Sequence, residues 1–340
     1  MKRHIGYTLL TAALLLFSSC AVEKSESSVE ISKKTFDSWL IENHYDHIKP
    51  TDVGIYILED VPGTGSLVED GMFIYVNQVQ TKLDGTIYSH NNEDLAIRLG
   101  TWNKFARYTP TVWNTAKLDY GLRDMILGAN ITDNKGTGGM RVGGYRKAII
   151  VPWIKNPYTG KEVASDGTSY IYDIEITDAT NDIIQYQVDS LESFKRHYPG
   201  GVLADVDSTY FGFYAKCFPT TEVNDTIAIN ASISLWYIGR YLDGVIFDTN
   251  IKDTAKFYNI YNDSKSYNAL SFTYARDSTS AVSNNNMVTG FSHAIRFTRN
   301  YGDHCKTFFT SDYGYNASGK DKIPGYEPLY FDIWIAPKKK

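Results

Sequence analysis

Leu83-Asp84-Gly85-Thr86-Ile87-Tyr88-Ser89 returns later in the chain as Leu242-Asp243-Gly244-Val245-Ile246-Phe247-Asp248. From position 83 to position 242 the displacement is 159. The same displacement carries Tyr170-Ile171-Tyr172-Asp173-Ile174-Glu175-Ile176 onto Leu329-Tyr330-Phe331-Asp332-Ile333-Trp334-Ile335. Two separate matches at one offset read as a tandem duplication, which sets the domain count before any motif is considered. Between them Gly121 corresponds to Gly290, at 169. The second copy therefore reads as having gained length after its Asp-Gly turn, with Ile251 to Tyr267 as the insertion. The first copy gains its length later, around Gly136 to Gly144. Insertions of this kind belong in loops, where chain closure costs little.

Each copy reads mostly as strand. Ile227, Ile229, Ile233 and Leu235 stand at alternating positions, and Ala148 to Val151 is an apolar run of strand length. Asp84-Gly85 and Asp243-Gly244 between apolar runs are hairpin turns, since glycine accepts the positive φ such turns require. One short helix interrupts each copy, at Leu118 to Leu127 and at Gly290 to Arg299, where apolar residues fall at helical spacing. Each unit is then an antiparallel sheet covered by a helix, an α+β design. Thr35 to Tyr45 and Asp182 to Tyr198 read as helical connectors.

The composition is that of an ordinary globular protein, with 340 residues, 43% hydrophobic and 21% charged. A net charge of -5 supplies no basic face for a phosphate backbone, so no nucleic-acid partner is expected. Lys2, Arg3 and His4 precede an apolar run from Thr8 to Phe17, which is shorter than the roughly 20 residues a membrane span needs. That run stops at Ser18-Ser19-Cys20, which resembles the lipobox of bacterial lipoproteins and implies lipidation of Cys20. Ala21 to Glu30 is polar and rich in Ser and Glu, as suits a tether. Cys217 and Cys305 remain. In an oxidising compartment they can pair, or they can stay as two buried thiols, and the sequence leaves both open.

From about Tyr210 to Ala336 the second copy resembles the FKBP-type peptidyl-prolyl cis/trans isomerase family, in several separated motifs that occur in the family's order. These are Trp236-Tyr237-Ile238-Gly239-Arg240 with the Asp-Gly turn and the Phe247-Asp248 pair, then Met287-Val288-Thr289-Gly290-Phe291 entering the short helix. Ser311-Asp312-Tyr313-Gly314-Tyr315 follows, and Ile323-Pro324-Gly325-Tyr326-Glu327-Pro328-Leu329 leads to Phe331-Asp332. The resemblance implies two FKBP-like units, each an antiparallel β-sheet wrapped around a short α-helix. It also implies a proline pocket lined by Tyr237, Phe247, Asp248, Val288, Phe291, Tyr315, Ile323 and Phe331, with Phe291 where the family usually has a floor tryptophan. With Ile251 to Tyr267 read as inserted, Leu270 or Phe272 is expected to fill the place of the family's aromatic between the Phe-Asp pair and the helix.

Those residue types suit the chemistry. Rotation about an X-Pro bond breaks amide resonance against a barrier of about 18–20 kcal/mol, and no covalent bond to the substrate forms or breaks. A dry apolar slot for the ring and donors for the twisted amide are what help, so neither a nucleophile nor a cofactor is implied. A phenol such as Tyr315 can hydrogen-bond a substrate carbonyl, and Asp248 can orient neighbouring donors. At the repeat offset the first copy has Gln78, Tyr88 and Ser89 for Tyr237, Phe247 and Asp248, with Leu122 for Phe291 and Asn156 for Tyr315, Tyr158 lying nearby. It is expected to keep the fold without efficient isomerase chemistry.

The expected organisation is a signal peptide over 1–20, a tether and connector over 21–48, a degenerate FKBP-like domain over 49–178, a helical linker over 179–209 and an isomerase-like domain over 210–338. The expected function is isomerisation, with chaperone activity, of proline-containing polypeptide clients that are exported or unfolded. The place is the bacterial cell envelope, periplasm-facing or at the cell surface, with the membrane reached through the lipid. The alternative is a non-catalytic FKBP-like lipoprotein that binds peptides or glycans, for which 26 tyrosines are suitable material. Gly136 to Gly144 reads as a hairpin tip rather than a phosphate loop, and His44 with His47 as a solvated helix end rather than a metal site.

Overall fold

The computed structural model describes residues 27–128, 138–163, 167–206, 208–220, 225–283 and 285–338. The apolar leader and Cys20 lie outside the described residues, as do Gly136 and Thr137 of the glycine-rich stretch. The first sheet contains β1 (Tyr56–Val61), β2 (Phe73–Lys82), β3 (Ile87–His90), β4 (Thr111–Asn114), β5 (Tyr145–Ile150) and β6 (Tyr170–Thr180). They lie in the order β1-β5-β6-β2-β3, with β4 also on β2, and the pairs are antiparallel. Helix α1 (Ser28–Glu42) precedes this sheet, α2 (Glu93–Arg98) follows β3, and α3 (Tyr120–Leu127) follows β4.

Helix α4 (Ile183–His197) and the short β7 (Ser208–Tyr210) lead to the second sheet. That sheet holds β8 (Phe213–Phe218), β9 (Ser232–Arg240), β10 (Ile246–Thr249), β11 (Leu270–Thr273), β12 (His304–Phe309) and β13 (Leu329–Ile335). Its order is β10-β9-β13-β12-β8-β7 with β11 on β9, again antiparallel. Helix α5 (Lys252–Phe257) follows β10, and α6 (Ser278–Ser283) and α7 (Thr289–Ile295) follow β11. Leaving β7 aside, the second sheet repeats the first strand for strand. The fold is α+β, two antiparallel sheets each covered by a short helix.

The alternation read in the sequence is the alternation of burial. Along β9, Ile233, Leu235 and Tyr237 point into the core while their neighbours are more exposed. Ile227 and Ile229 lie before the strand, in a segment joined to the rest by the Thr226–Asn300 bridge. In β2 the inward positions are Ile74 and Val76. Helix α3 starts at Asp119, whose side chain accepts from the Leu122 N–H at 2.9 Å, an N-cap that satisfies one orphan donor. Helix α1 begins with a capping box at Ser27 and Glu30, further upstream than the Thr35 expected from pattern. It lays Phe36 and Leu40 on the first sheet, in a cluster with Ile149 and Val151.

The placement of the length differences is corrected by the structure. Thr111–Asn114 and Leu270–Thr273 still stand 159 apart, so Ile251 to Tyr267 is not an insertion but the counterpart of residues 92–108. The same hydrogen bonds recur there. Asn91 accepts from the Gln78 N–H and donates to the carbonyls of Val76 and Thr109, while Asn250 accepts from Tyr237 N–H and donates to Leu235 and Asn268. The gain in the second copy falls after β11, where α6 has been added. A loop there needs only to avoid the core, so α6 is tolerated.

Each covering helix touches its sheet at a glycine. A methyl group on Gly290 would fall 2.4 Å from the Phe309 ring, and one on Gly121 would fall 2.6 Å from the Ile150 side chain. Cys217 and Cys305, opposite each other on β8 and β12, are joined as a disulfide, which decides between the two readings left open. Gly290→Ala is expected to lower stability by about 1–3 kcal/mol through overpacking, measured by denaturant unfolding. Reduction of the disulfide is expected to lower it by about 2–4 kcal/mol, because 88 residues separate the two cysteines; an unchanged midpoint with dithiothreitol would count against that.

Candidate functional site

The β9–β10 hairpin supplies the centre of the site. A register shift between Ile246 and Asp248 makes Phe247 an extra residue on β10, and both Phe247 and Asp248 remain partly accessible. The Phe247 ring needs room on the facing strand, and Gly239 provides it. A methyl there would fall 2.6 Å from the Phe247 ring and 2.9 Å from that of Phe331. On β9 the backbone of Tyr237 is held from both ends, its N–H by Asn250 at 2.8 Å and its carbonyl by the Thr249 hydroxyl at 2.6 Å.

The structure gathers the aromatic residues read from the sequence into one cluster. Phe291, on α7, meets Tyr237 edge-on at 5.7 Å between ring centroids and Phe331 at 5.3 Å. Phe331, on β13, meets Phe247 edge-on at 5.5 Å. Such edge-to-face contacts are the geometry that ring quadrupoles favour. Val288 stands at the N-cap of α7 and packs against the same core.

Access is unequal across this group. Phe291 is 0% exposed, Phe331 3% and Tyr237 8%, so they form the sealed underside. Phe247, Asp248, Tyr315 and Ile323 reach the surface of a cleft of about 720 Å³. Its walls are residues 259–263 with Lys265 on one side and 320–322 on the other. These walls carry Asp263, Lys265, Lys320, Asp321 and Lys322, so the cleft has an aromatic base and a polar, charged rim. Neither Leu270 nor Phe272 lines it; Phe272 is core, and the wall expected of them comes from 259–265 instead.

The Asp248 carboxylate has three partners, one of them the Thr249 N–H, which donates to it at 2.9 Å. The Tyr237 hydroxyl donates to it at 2.7 Å, and the Lys265 ammonium forms an ion pair with its other oxygen. Burial first, and the Asp248 carboxylate second, push the Tyr237 phenol well above its ordinary range, so it remains a hydrogen-bond donor at neutral pH. Burial and the same carboxylate also raise Tyr315. Lys265 and Asn250 escaped sequence reading. For Asn250 the signal was the 159-residue offset, which carries Asn91 onto it once the supposed insertion is recognised as part of the repeat; Lys265, whose counterpart is Ala106, left none.

The first sheet fills the equivalent place differently. Gly239 is replaced at the repeat offset by Gln80, whose amide donates to the Tyr172 hydroxyl at 2.9 Å and accepts from Ser89 at 3.2 Å. Tyr172 and Ser89 are the counterparts of Phe331 and Asp248, so Gln80 lies where the second copy keeps space. Tyr88, the counterpart of Phe247, is 62% exposed. Asn156, at the place of Tyr315, donates to the Tyr120 hydroxyl at 3.2 Å.

Among the described residues no group of three or more His, Cys, Asp or Glu is placed to hold a metal. An aromatic base beside a phenol and a carboxylate can grip an apolar ring and hydrogen-bond an amide, and offers no nucleophile activated by a base.

No family model and no curated protein matches the sequence. Solved structures do. The chain is similar to the three FKBP domains of wheat FKBP73, at 12% identity and a TM-score of 0.28 over 83% of this chain and 94% of that one. It is similar to a peptidyl-prolyl cis-trans isomerase of Pseudomonas syringae pv. tomato, at 20% identity and a TM-score of 0.31, covering 48% and 99%. It is also similar to FkpA of Escherichia coli, at 17% identity and a TM-score of 0.30, covering 53% and 73%.

Gly239→Ala is expected to force the Phe247 ring outward, costing about 1–3 kcal/mol of stability and narrowing the cleft. A crystal structure of the variant with Phe247 unmoved would contradict this account of the glycine.

Proposed function

We propose that the protein is a peptidyl-prolyl cis/trans isomerase acting on proline-containing polypeptides, with the second sheet carrying the site. The observation that supports it most is the junction of Phe247, Tyr315 and Ile323 with the Tyr237–Asp248 hydrogen bond at the base of one cleft. A prolyl ring would rest on Phe247 and Ile323. The Tyr315 phenol would donate to a substrate carbonyl, and Asp248 would fix the Tyr237 hydroxyl beneath. Stabilisation confined to the twisted amide lowers the barrier without any covalent step.

Each residue carries its own part of the proposal. Tyr237, Phe291 and Phe331 act as the rigid underside, Val288 sets the start of α7, and Phe247, Asp248, Tyr315 and Ile323 meet the client. The clients are exported or unfolded chains, for which the same apolar base offers chaperone binding. The chain is held to a bacterial envelope membrane by a lipid on Cys20, with the protein facing the periplasm or the cell surface. The first unit, its opening occupied by Gln80, serves the second rather than repeating its chemistry.

A second reading, a non-catalytic binder of peptides or glycans, is favoured by two observations: the charged rim of the cleft and the complete burial of Phe291.

A proline-limited refolding assay with the full chain in mild detergent separates the two. Acceleration is expected, and Phe247→Ala and Asp248→Ala are each expected to slow it about tenfold, equal to about 1.4 kcal/mol of transition-state binding. Saturable peptide or glycan binding with no acceleration would favour the binder, and wild-type rates in both variants would remove these residues from the site.

A further inference from the structure

The two units meet at a turn of the first. In residues 103–108 the Asn103 side chain accepts from the Phe105 N–H at 2.9 Å, and the Asn103 N–H donates to the Tyr108 hydroxyl at 3.1 Å. Asn262 and Tyr267 make the same pair of bonds in the second unit, where that turn forms the cleft wall bearing Lys265. In the first unit the turn reaches across to the second unit instead.

It touches residues that stand next to parts of the cleft. The Arg107 guanidinium bonds Glu327 at 2.6 Å and Asp243 at 2.9 Å, and lies 4.4 Å over the Tyr241 ring. Tyr241 in turn packs on Phe247 at 5.2 Å, and its hydroxyl donates to the Lys322 carbonyl at 2.8 Å. Glu327 ends the closing loop that holds Ile323. Phe105 meets Phe257 and Tyr258 at the end of α5, directly before the wall at 259–265. Behind the cleft a second recess of about 280 Å³ is lined from both units, and it shares Phe247, Asn259, Ile260 and Lys322 with the cleft as a common partition.

The energetics favour a fixed seam. Glu327 is buried and Arg107 half-buried, and removing Arg107 strands the Glu327 charge in a low dielectric. Burial raises the Glu327 carboxyl above its ordinary range, with Arg107 pulling the other way. The planar fork suits this position, because it meets two carboxylates while its face lies on an aromatic ring.

We propose that Arg107, from the first unit, is a positioning residue for the cleft of the second: through Tyr241 it fixes Phe247, and through Glu327 it fixes the closing loop. Its bearing on turnover rests on the isomerase reading, whereas its ordering of the cleft does not. This assigns the first unit a task in the site of the second.

The test compares the full chain with its Arg107→Ala and Arg107→Lys variants, and uses Arg123→Ala, which breaks an ion pair with Asp70 in the first unit, as a control for general destabilisation. Hydrogen exchange reads the ordering directly, since the amides of Ile323 and Tyr326 are bonded to Lys320 and Asn316. In Arg107→Ala those two amides are expected to exchange at least about tenfold faster while β5 and β6 keep their protection. Arg107→Lys, which keeps the charge without the fork, is expected to fall between. With a proline-containing peptide, KM is expected to rise about tenfold in Arg107→Ala, with a smaller change in kcat, and to stay at the wild-type value in Arg123→Ala. Unaltered exchange at Ile323 and Tyr326 in Arg107→Ala overturns the proposal whatever the activity. If Arg107→Ala does not fold, the same measurement on Arg107→Lys decides. A wild-type chain with no isomerase activity removes the isomerase reading alone, and the exchange result still stands for or against Arg107.

Discussion

A helix of two turns has little surface with which to cover a sheet, so it holds its place only where backbone can come down almost onto the strands. Gly290 over Phe309 and Gly121 over Ile150 make that approach, and any larger residue would lift the helix off the sheet. The aromatic cluster depends on the closeness. With α7 seated, Phe291 reaches Tyr237 and Phe331, and their edge-to-face contacts fix the level of the cleft base. The rest of the site is built outward from that level, first by the hairpin that presents Phe247 and Asp248, then by the loops that form the walls.

The two units share this frame and differ in what fills it. On the outer face of each sheet a lysine opposes an aspartate across neighbouring strands, Lys147 with Asp173 and Lys306 with Asp332, at the same repeat offset. The joint between the first strand of each unit and its neighbour has been solved in two ways. In the second unit it is the Cys217–Cys305 disulfide. In the first it is the buried Arg146, which pairs with Asp60 and donates to the Met125 carbonyl at 2.6 Å. Arg146 stands at the position of Cys305 and Met125 at that of Ala294, so one place in the frame accepts either a covalent link or a satisfied charge. At the site itself several side chains differ, and one of the differences concerns space. Glycine at 239 leaves space for an aromatic ring, whereas Gln80 uses the space for its own amide.

Much of this was legible in the sequence because repeats reveal themselves through rigid elements. The Asp-Gly hairpins and the two closing strands fixed the offset, apolar spacing gave the paired helices and with them the α+β class, and the residues of the aromatic cluster came from the resemblance to the FKBP-type family. The misplacement of the insertion has a physical cause. Residues 92–108 and 251–267 keep their shape through asparagine side chains bonded to backbone, Asn91 and Asn250 above all, and not through an apolar pattern. Only one or two polar residues in such a loop are constrained, so its copies drift apart while their geometry stays the same. Exposure was hidden for a related reason: an aromatic residue at an inward position looks the same in sequence whether it floors an open cleft or lies sealed, as Phe291 does. Nor could pattern show that Arg107 crosses to the other unit, since its partners are more than a hundred residues away.

The charged rim bears on how a polypeptide would enter. The Lys265–Asp248 pair sits partly in water, and ion pairs so placed contribute about 0–1 kcal/mol, because solvent screens them and two side chains must be ordered. An arriving chain can displace Lys265 at little cost. The Tyr237–Asp248 bond is different, since the phenol is buried and would lose its only acceptor among the described contacts, a penalty of about 1–3 kcal/mol. Binding of a client would therefore divide the site into a part that yields and a part that does not: Lys265 and the side chains of the rim would move aside, while Tyr237, Asp248 and the rings beneath would remain fixed. In the proposed function a prolyl ring would then meet Phe247, Tyr315 and Ile323 at the level set by the sealed underside, so affinity would be governed by how firmly those three are held, two of them through contacts that begin in the first unit.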